Sequence, residues 1–173
     1  MVLNPRQEKK IALQETYKDL VGLPWPARRY PGCYDIIQKY AKAQLDLDLP
    51  NFSGVYQSFA DDAVAQANGL WIEKPTWGEE LDFTNLQKDD LLLFRLYTQE
   101  GRIVTPENER IPNHGAAYLG DGYMLHQPYK ELSQIVDMKS SGCKIYQTSC
   151  VGVVRNNTCL LYTSPSPRDL RKS

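Results

Sequence analysis

The sequence is poor in the residues that hold metals. Two histidines and four cysteines are spread over 173 residues, and no C-x-x-C or H-E-x-x-H spacing joins them. A zinc site with three or four His/Cys ligands would consume nearly all of them. Metal chemistry is therefore disfavoured, and no cofactor is expected. An excess of charge of one sign is also missing: 20 Lys and Arg stand against 21 Asp and Glu, a net charge of −1. A nucleic-acid binder that neutralises phosphates needs a basic excess, so nucleic acid is not an expected partner. No apolar run reaches the ~18 residues of a membrane span, so no membrane association is expected. The first ten residues, Met1 to Lys10, carry charges where a signal peptide would be apolar. Synthesis in the cytoplasm without a signal peptide is the expectation. Cys143 and Cys150 are then expected to be thiols rather than a disulfide.

What is present suffices for one core. Hydrophobic residues make up 42% of the chain, and this length suits a single domain. That domain is expected over residues 1–157. From Cys159 the text turns Ser/Pro/Arg-rich and aperiodic, and it resembles translated sequencing-adaptor read-through. Residues 158–173 are therefore set aside as a non-native or disordered tail.

Asn4-Pro5 reads as N-cap and first helical position, with Ile11, Leu13, Tyr17, Leu20 and Val21 as an apolar stripe ended by Gly22. A second helix is expected to start near Cys33, with Ile36, Ile37, Tyr40, Ala41 and Leu45 at helical spacing. A third is expected from Val55 to Ala67. Strands are expected at Leu91–Tyr97, at His114–Leu119 with Tyr123–Gln127, and at Lys144–Arg155. Helices first and strands afterwards predict an α+β fold, with N-terminal helices packed on a central antiparallel sheet.

Two features carry chemistry. Cys33 follows Pro31-Gly32 at a helix start, where unsatisfied N–H groups and the macrodipole favour a thiolate. Gly32 leaves room beside the sulfur. The two histidines flank a hairpin. A three-residue loop Gly120-Asp121-Gly122 pairs Leu119 with Tyr123 and sets Ala116 opposite His126. Side-chain alternation then puts His114, Ala116 and His126 on one face, whereas a two-residue turn would separate the histidines. With the second helix packed on that face, Cys33 is the expected nucleophile, His114 its base and His126 the group that orients the His114 ring. Asp35, Asp61 and Asp62 read as solvated helix acids, and Asp89-Asp90 as the boundary of a strand. Trp71 and Trp77 read as packing.

Leu20-Val21-Gly22-Leu23-Pro24-Trp25, Gly32-Cys33, Asp90-Leu91-Leu92-Leu93-Phe94 and the block Asn113-His114-Gly115-Ala116-Ala117-Tyr118-Leu119-Gly120-Asp121-Gly122-Tyr123-Met124-Leu125-His126 occur in the order of a known family. The chain resembles the NlpC-type cysteine peptidases, papain-like cell-wall endopeptidases, from about Leu20 to Val154. The resemblance implies a papain-like fold, a Cys33–His114–His126 triad and peptidoglycan stem peptides as substrate. It also implies substrate contacts near Trp25, Gly32, Tyr34 and Asn113, with Trp25 either a groove wall or packing under the nucleophile helix. Pro31-Gly32-Cys33-Tyr34-Asp35 looks most like the bacteriophage tail-tip branch, which implies a virion tail location and other tail proteins as partners. Cellular members usually read Asp-Cys-Ser-Gly around the nucleophile, and that departure leaves the cleaved bond unspecified. A catalytically silent tail module and a papain-like amidase are the rival readings.

Overall fold

The computed structural model describes residues 2–26, 32–49, 71–73, 75–96 and 104–155. The expected helix at Val55–Ala67, Asp61, Asp62 and the tail lie outside them. The described elements are α1 (Pro5–Thr16), α2 (Gly32–Leu45), β1 (Trp71–Glu73), β2 (Leu91–Phe94), β3 (His114–Gly120), β4 (Tyr123–His126), β5 (Gln134–Asp137), α3 (Lys144–Thr148) and β6 (Cys150–Val154). The strands form one sheet in the order β1-β6-β2-β3-β4-β5. Every pairing is antiparallel. The architecture is α+β.

α2 covers one face of this sheet. Cys33, Tyr34, Ile36, Ile37 and Tyr40 recur at helical spacing and are buried against Leu93, Ala117, Leu119, Tyr123, Leu125 and Ile135. The opposite face carries Leu92, Phe94, Ala116, Tyr118, Met124, Val136 and Val153. Phe83, Leu86, Cys143 and Tyr146 pack onto that face. Both faces are covered, so β2 is the unbroken apolar run Leu91-Leu92-Leu93-Phe94 rather than an alternating one.

Several elements depart from expectation, each for a local reason. α1 stops at Thr16 rather than at Gly22. Only part of the stripe anchors it: Leu13 packs against the core, Ile11 is 51% exposed, and Tyr17 and Leu20 are buried in the turns after the helix. Charge adds to this. Arg6 forks onto Asp137 with both contacts at 2.8 Å, donates to the Asp121 carbonyl at 2.6 Å and lies over the Tyr123 ring. β2 ends at Phe94 rather than Tyr97, because the Asn113 side chain takes over the backbone of Leu96: Leu96 N–H donates to Oδ1 and Nδ2 donates to Leu96 O. The stretch expected as one strand from Lys144 divides into α3 and β6, with Ser149 N–H and Oγ both donating to Ile145 O at the junction. β1 and β5 were not anticipated. Asp35 is not a solvated acid; it is buried and ion-paired with Lys39 at 3.0 Å.

The hairpin reaches its expected register by another route. Asp121 and Gly122, at φ +51° and +88°, form a two-residue turn in the left-handed region. Gly120 pairs with Tyr123, while Tyr118 pairs with Met124, so Leu119 is an extra residue in a bulge. The bulge restores the parity that the shorter turn would have reversed.

Asp90 bounds β2 as expected and is 1% exposed. Its oxygens accept from Arg155 Nε at 2.7 Å and Nη2 at 2.8 Å, and from Gln87 N–H at 2.8 Å. Removing one partner strands a buried charge. Arg155→Leu should therefore lower the unfolding free energy by about 3 kcal/mol, and adding Asp90→Asn should recover part of that loss. Urea denaturation of the two variants measures both; an unchanged midpoint in Arg155→Leu would contradict the assignment.

Candidate active site

His114 is the first residue of β3 and His126 the last of β4. The bulged hairpin sets both on one face. The Nε2 of His114 lies 2.9 Å from Nδ1 of His126, with the rings nearly perpendicular at 86°. His126 is 1% exposed and His114 9%. The pair is walled by aromatics: Phe94 is 6.0 Å from the His114 ring, centroid to centroid, and Tyr146 of α3 is 5.3 Å from that of His126. Among the described residues, His126 Nε2 meets no hydrogen-bond partner. The 2.9 Å bond uses His114 Nε2, which leaves Nδ1 as the nitrogen that can exchange a proton with another group.

Cys33 occupies the first turn of α2, as expected, and its side chain is buried. It packs with the apolar cluster beneath α2, which includes Ala117, Leu119 and Leu125. The imidazoles share the opposite face with Phe94 and Tyr146, since His114 pairs directly with Phe94. The expectation that α2 packs on the face bearing the histidines is therefore corrected. Parity decides it: the helix lies over the odd-numbered residues of β3 and the rings project with the even ones. Thiol and imidazole can meet only around the end of β3, not across its face.

The helix anchoring points to that end. Tyr40 Oη donates to Asp89 Oδ1, and Asp89 N–H donates to Tyr118 O at 2.8 Å. This ties the C-terminal half of α2 to the hairpin end of β3. Seven residues back along the helix is about 10 Å, and four residues back along the strand is about 13 Å. Those steps carry α2 to Cys33 and β3 to His114.

The expected substrate contacts fare differently. Tyr34 is fully buried in the cluster under α2, because the residue after Cys33 turns toward the sheet. Both amide groups of Asn113 are occupied by Leu96. Neither side chain is placed to contact a substrate. Trp25 is half-buried with its ring edge-on to Tyr129 at 5.3 Å, and Gly32 opens α2. Trp77 donates Nε1–H to Arg95 O at 3.1 Å, a packing role as expected.

Sequence reasoning missed Gln127 and Ser133. Gln127 is buried and its Nε2 donates to Leu23 O and Glu131 O, both at 2.9 Å. Ser133 Oγ donates to Leu20 O and accepts from Leu23 N–H. Together they strap the Leu20–Trp25 segment beside the end of β4. Tyr146 was missed because its segment reads as strand.

Among the described residues there is no group of three or more His, Cys, Asp or Glu side chains placed to hold a metal ion. No helix among them is long and apolar enough to cross a membrane.

No protein-family model matches the chain, and no curated protein does. Two solved structures are similar in trace. One is an NlpC/P60 family protein from Bacillus cereus, at 23% identity and a TM-score of 0.46, covering 83% of this chain and 39% of that one. The other is a protein similar to lipoprotein, NLP/P60 family, from Staphylococcus aureus, at 16% identity and a TM-score of 0.48, covering 90% and 43%. The chain spans about two fifths of the length of these proteins. At such scores the likeness does not decide function; the side chains of the site must.

Burial pushes His114 down from 6.5 to about 4. Burial, and then the neighbouring imidazole, holds His126 well below its ordinary value. Both rings are neutral at pH 7. The unfolded chain binds more protons than the fold below about 6.5, so stability is full above that pH and falls as pH drops toward 4. His114 alone accounts for roughly 3 kcal/mol of this loss. Urea midpoints measured from pH 7 to pH 4 should fall more steeply for the wild type than for His114→Gln; parallel curves would show that the ring is not buried neutral.

Proposed function

We propose that the protein is a cysteine-type hydrolase that cleaves amide bonds in the stem peptides of peptidoglycan. The observation that carries this reading is the 2.9 Å contact between the chain's two histidines, which engages His114 Nε2 at the first residue of β3 and leaves its Nδ1 outside that contact. Paired neutral imidazoles beside a helix-borne thiol suit nucleophilic catalysis with a base that a third group orients. The order of motifs resembling NlpC-type peptidases supplies the substrate class.

In the productive tautomer, His114 donates Nε2–H to Nδ1 of His126, and His114 Nδ1 accepts the thiol proton. The sulfur attacks the amide carbonyl, and the Cys33 backbone N–H at the helix start is a donor for the developing oxyanion. His114 then returns its proton to the leaving amine. Water hydrolyses the resulting thioester, again with His114 as base. A buried imidazole near 4 is a poor resting base for a thiol of ordinary pKa near 8.5. The imidazolium becomes favourable only as a thiolate forms beside it, so the two charges must arise together.

From the resemblance around Pro31-Gly32-Cys33-Tyr34-Asp35 we further propose a bacteriophage tail tip as the setting, where local opening of the cell wall would aid entry. In that setting the chain meets other tail proteins.

Incubation with purified peptidoglycan, followed by mass spectrometry of the soluble products, tests the reaction. The wild type should release fragments cut between amino acids, and Cys33→Ala should release none while keeping its unfolding midpoint. His114→Ala should lose about 10²–10⁴-fold, and Cys143→Ser should match the wild type. Undiminished release by Cys33→Ala would overturn the proposal. Cuts between sugar and peptide would make the enzyme an amidase instead.

A further inference from the structure

The catalytic direction of the His114–His126 contact is not fixed by the contact itself. Either ring nitrogen can donate, and only one direction leaves His114 Nδ1 able to accept a proton. If His126 Nδ1–H donates, a neutral His114 carries its proton on Nδ1 and has no lone pair for the thiol. If His114 donates, a neutral His126 must carry its own proton on Nε2. That atom is buried and meets no hydrogen-bond partner among the described residues. Buried N–H groups without an acceptor are rarer in folded proteins than under-satisfied acceptors. Taken alone, the pair would settle in the unproductive direction.

Tyr146 lies where it can reverse that preference. Its ring is 5.3 Å from the His126 ring at 80°, an edge-to-face arrangement. Phe94 meets Tyr146 at 5.9 Å and 74°, and meets His114 at 6.0 Å. The Tyr146 ring thus contacts both Phe94 and His126. Burial pushes its phenol up, so the ring is neutral at working pH. An aromatic face carries negative charge density and accepts an N–H directed at it.

We propose that Tyr146 is a positioning residue whose ring face receives the Nε2–H of His126, which fixes the tautomer of His126 and, through the 2.9 Å contact, that of His114. This rests on the hydrolase reading for its catalytic consequence, but the tautomer itself does not. The phenol hydroxyl plays no part. Phenylalanine should therefore replace tyrosine, and an aliphatic side chain should not.

The chain's two histidines make the test direct, because imidazole-labelled protein shows only four ring nitrogens. Nitrogen-15 NMR of the full chain at pH 7 should show both rings protonated at Nε2 in the wild type and in Tyr146→Phe. Tyr146→Leu should move the proton of His126 to Nδ1 and that of His114 to Nδ1 as well. In the peptidoglycan assay, Tyr146→Phe should retain activity within about twofold, and Tyr146→Leu should lose at least about tenfold in kcat with little change in KM. A wild-type spectrum with His126 protonated at Nδ1 overturns the proposal without requiring Tyr146→Leu to fold. So does a tautomer that Tyr146→Leu leaves unchanged. If the wild type releases no fragments, the hydrolase reading fails while the spectra still decide the role of Tyr146.

Discussion

The site depends on one extra residue in a β-hairpin. Leu119 is the bulged residue, and without it the Asp121-Gly122 turn would send His114 and His126 to opposite faces of the sheet. The bulge brings the rings together, and the cores on either side then exclude water from them. That exclusion keeps both imidazoles neutral. Register, contact and protonation state thus follow from a local backbone irregularity.

The helix bearing the thiol is fixed from its other end. Tyr40 and Tyr17 meet at 5.8 Å with their rings tilted by 41°, and the Tyr40–Asp89 bond locks α2 against the start of β2, where Asp89 adopts φ +78°. Below these contacts α2 buries a continuous apolar face that includes Cys33 and Tyr34 in its N-terminal turn. This arrangement separates two tasks. In the proposed reaction the sheet supplies the proton-transfer pair and the helix supplies the nucleophile.

Much of this was legible in the sequence. The Asn4 cap on Pro5, the start of α2 at Gly32-Cys33, and the shared face of His114 and His126 follow from capping chemistry and side-chain alternation. The failures have physical causes. The apolar stripe accounts for only part of the anchoring of α1, through Leu13, and the Arg6 fork that adds to it has no periodicity to detect. The Lys144–Arg155 run divides into helix and strand because serine capping and sheet pairing compete there over a few residues. Parity along β3 was read correctly, but which face α2 covers is a tertiary choice that no local pattern records. Asn113 looked like a polar group free for substrate because nothing in its neighbourhood announces that Leu96, seventeen residues earlier, will take both its amide groups.

The central claim is that the imidazole pair serves Cys33 as a proton acceptor. Site-resolved alkylation with iodoacetamide at pH 7, in the wild type and in His114→Ala, tests it most directly. The account predicts that labelling of Cys33 slows in His114→Ala while labelling of Cys143 is unchanged. Equal labelling of Cys33 in the two proteins would contradict it.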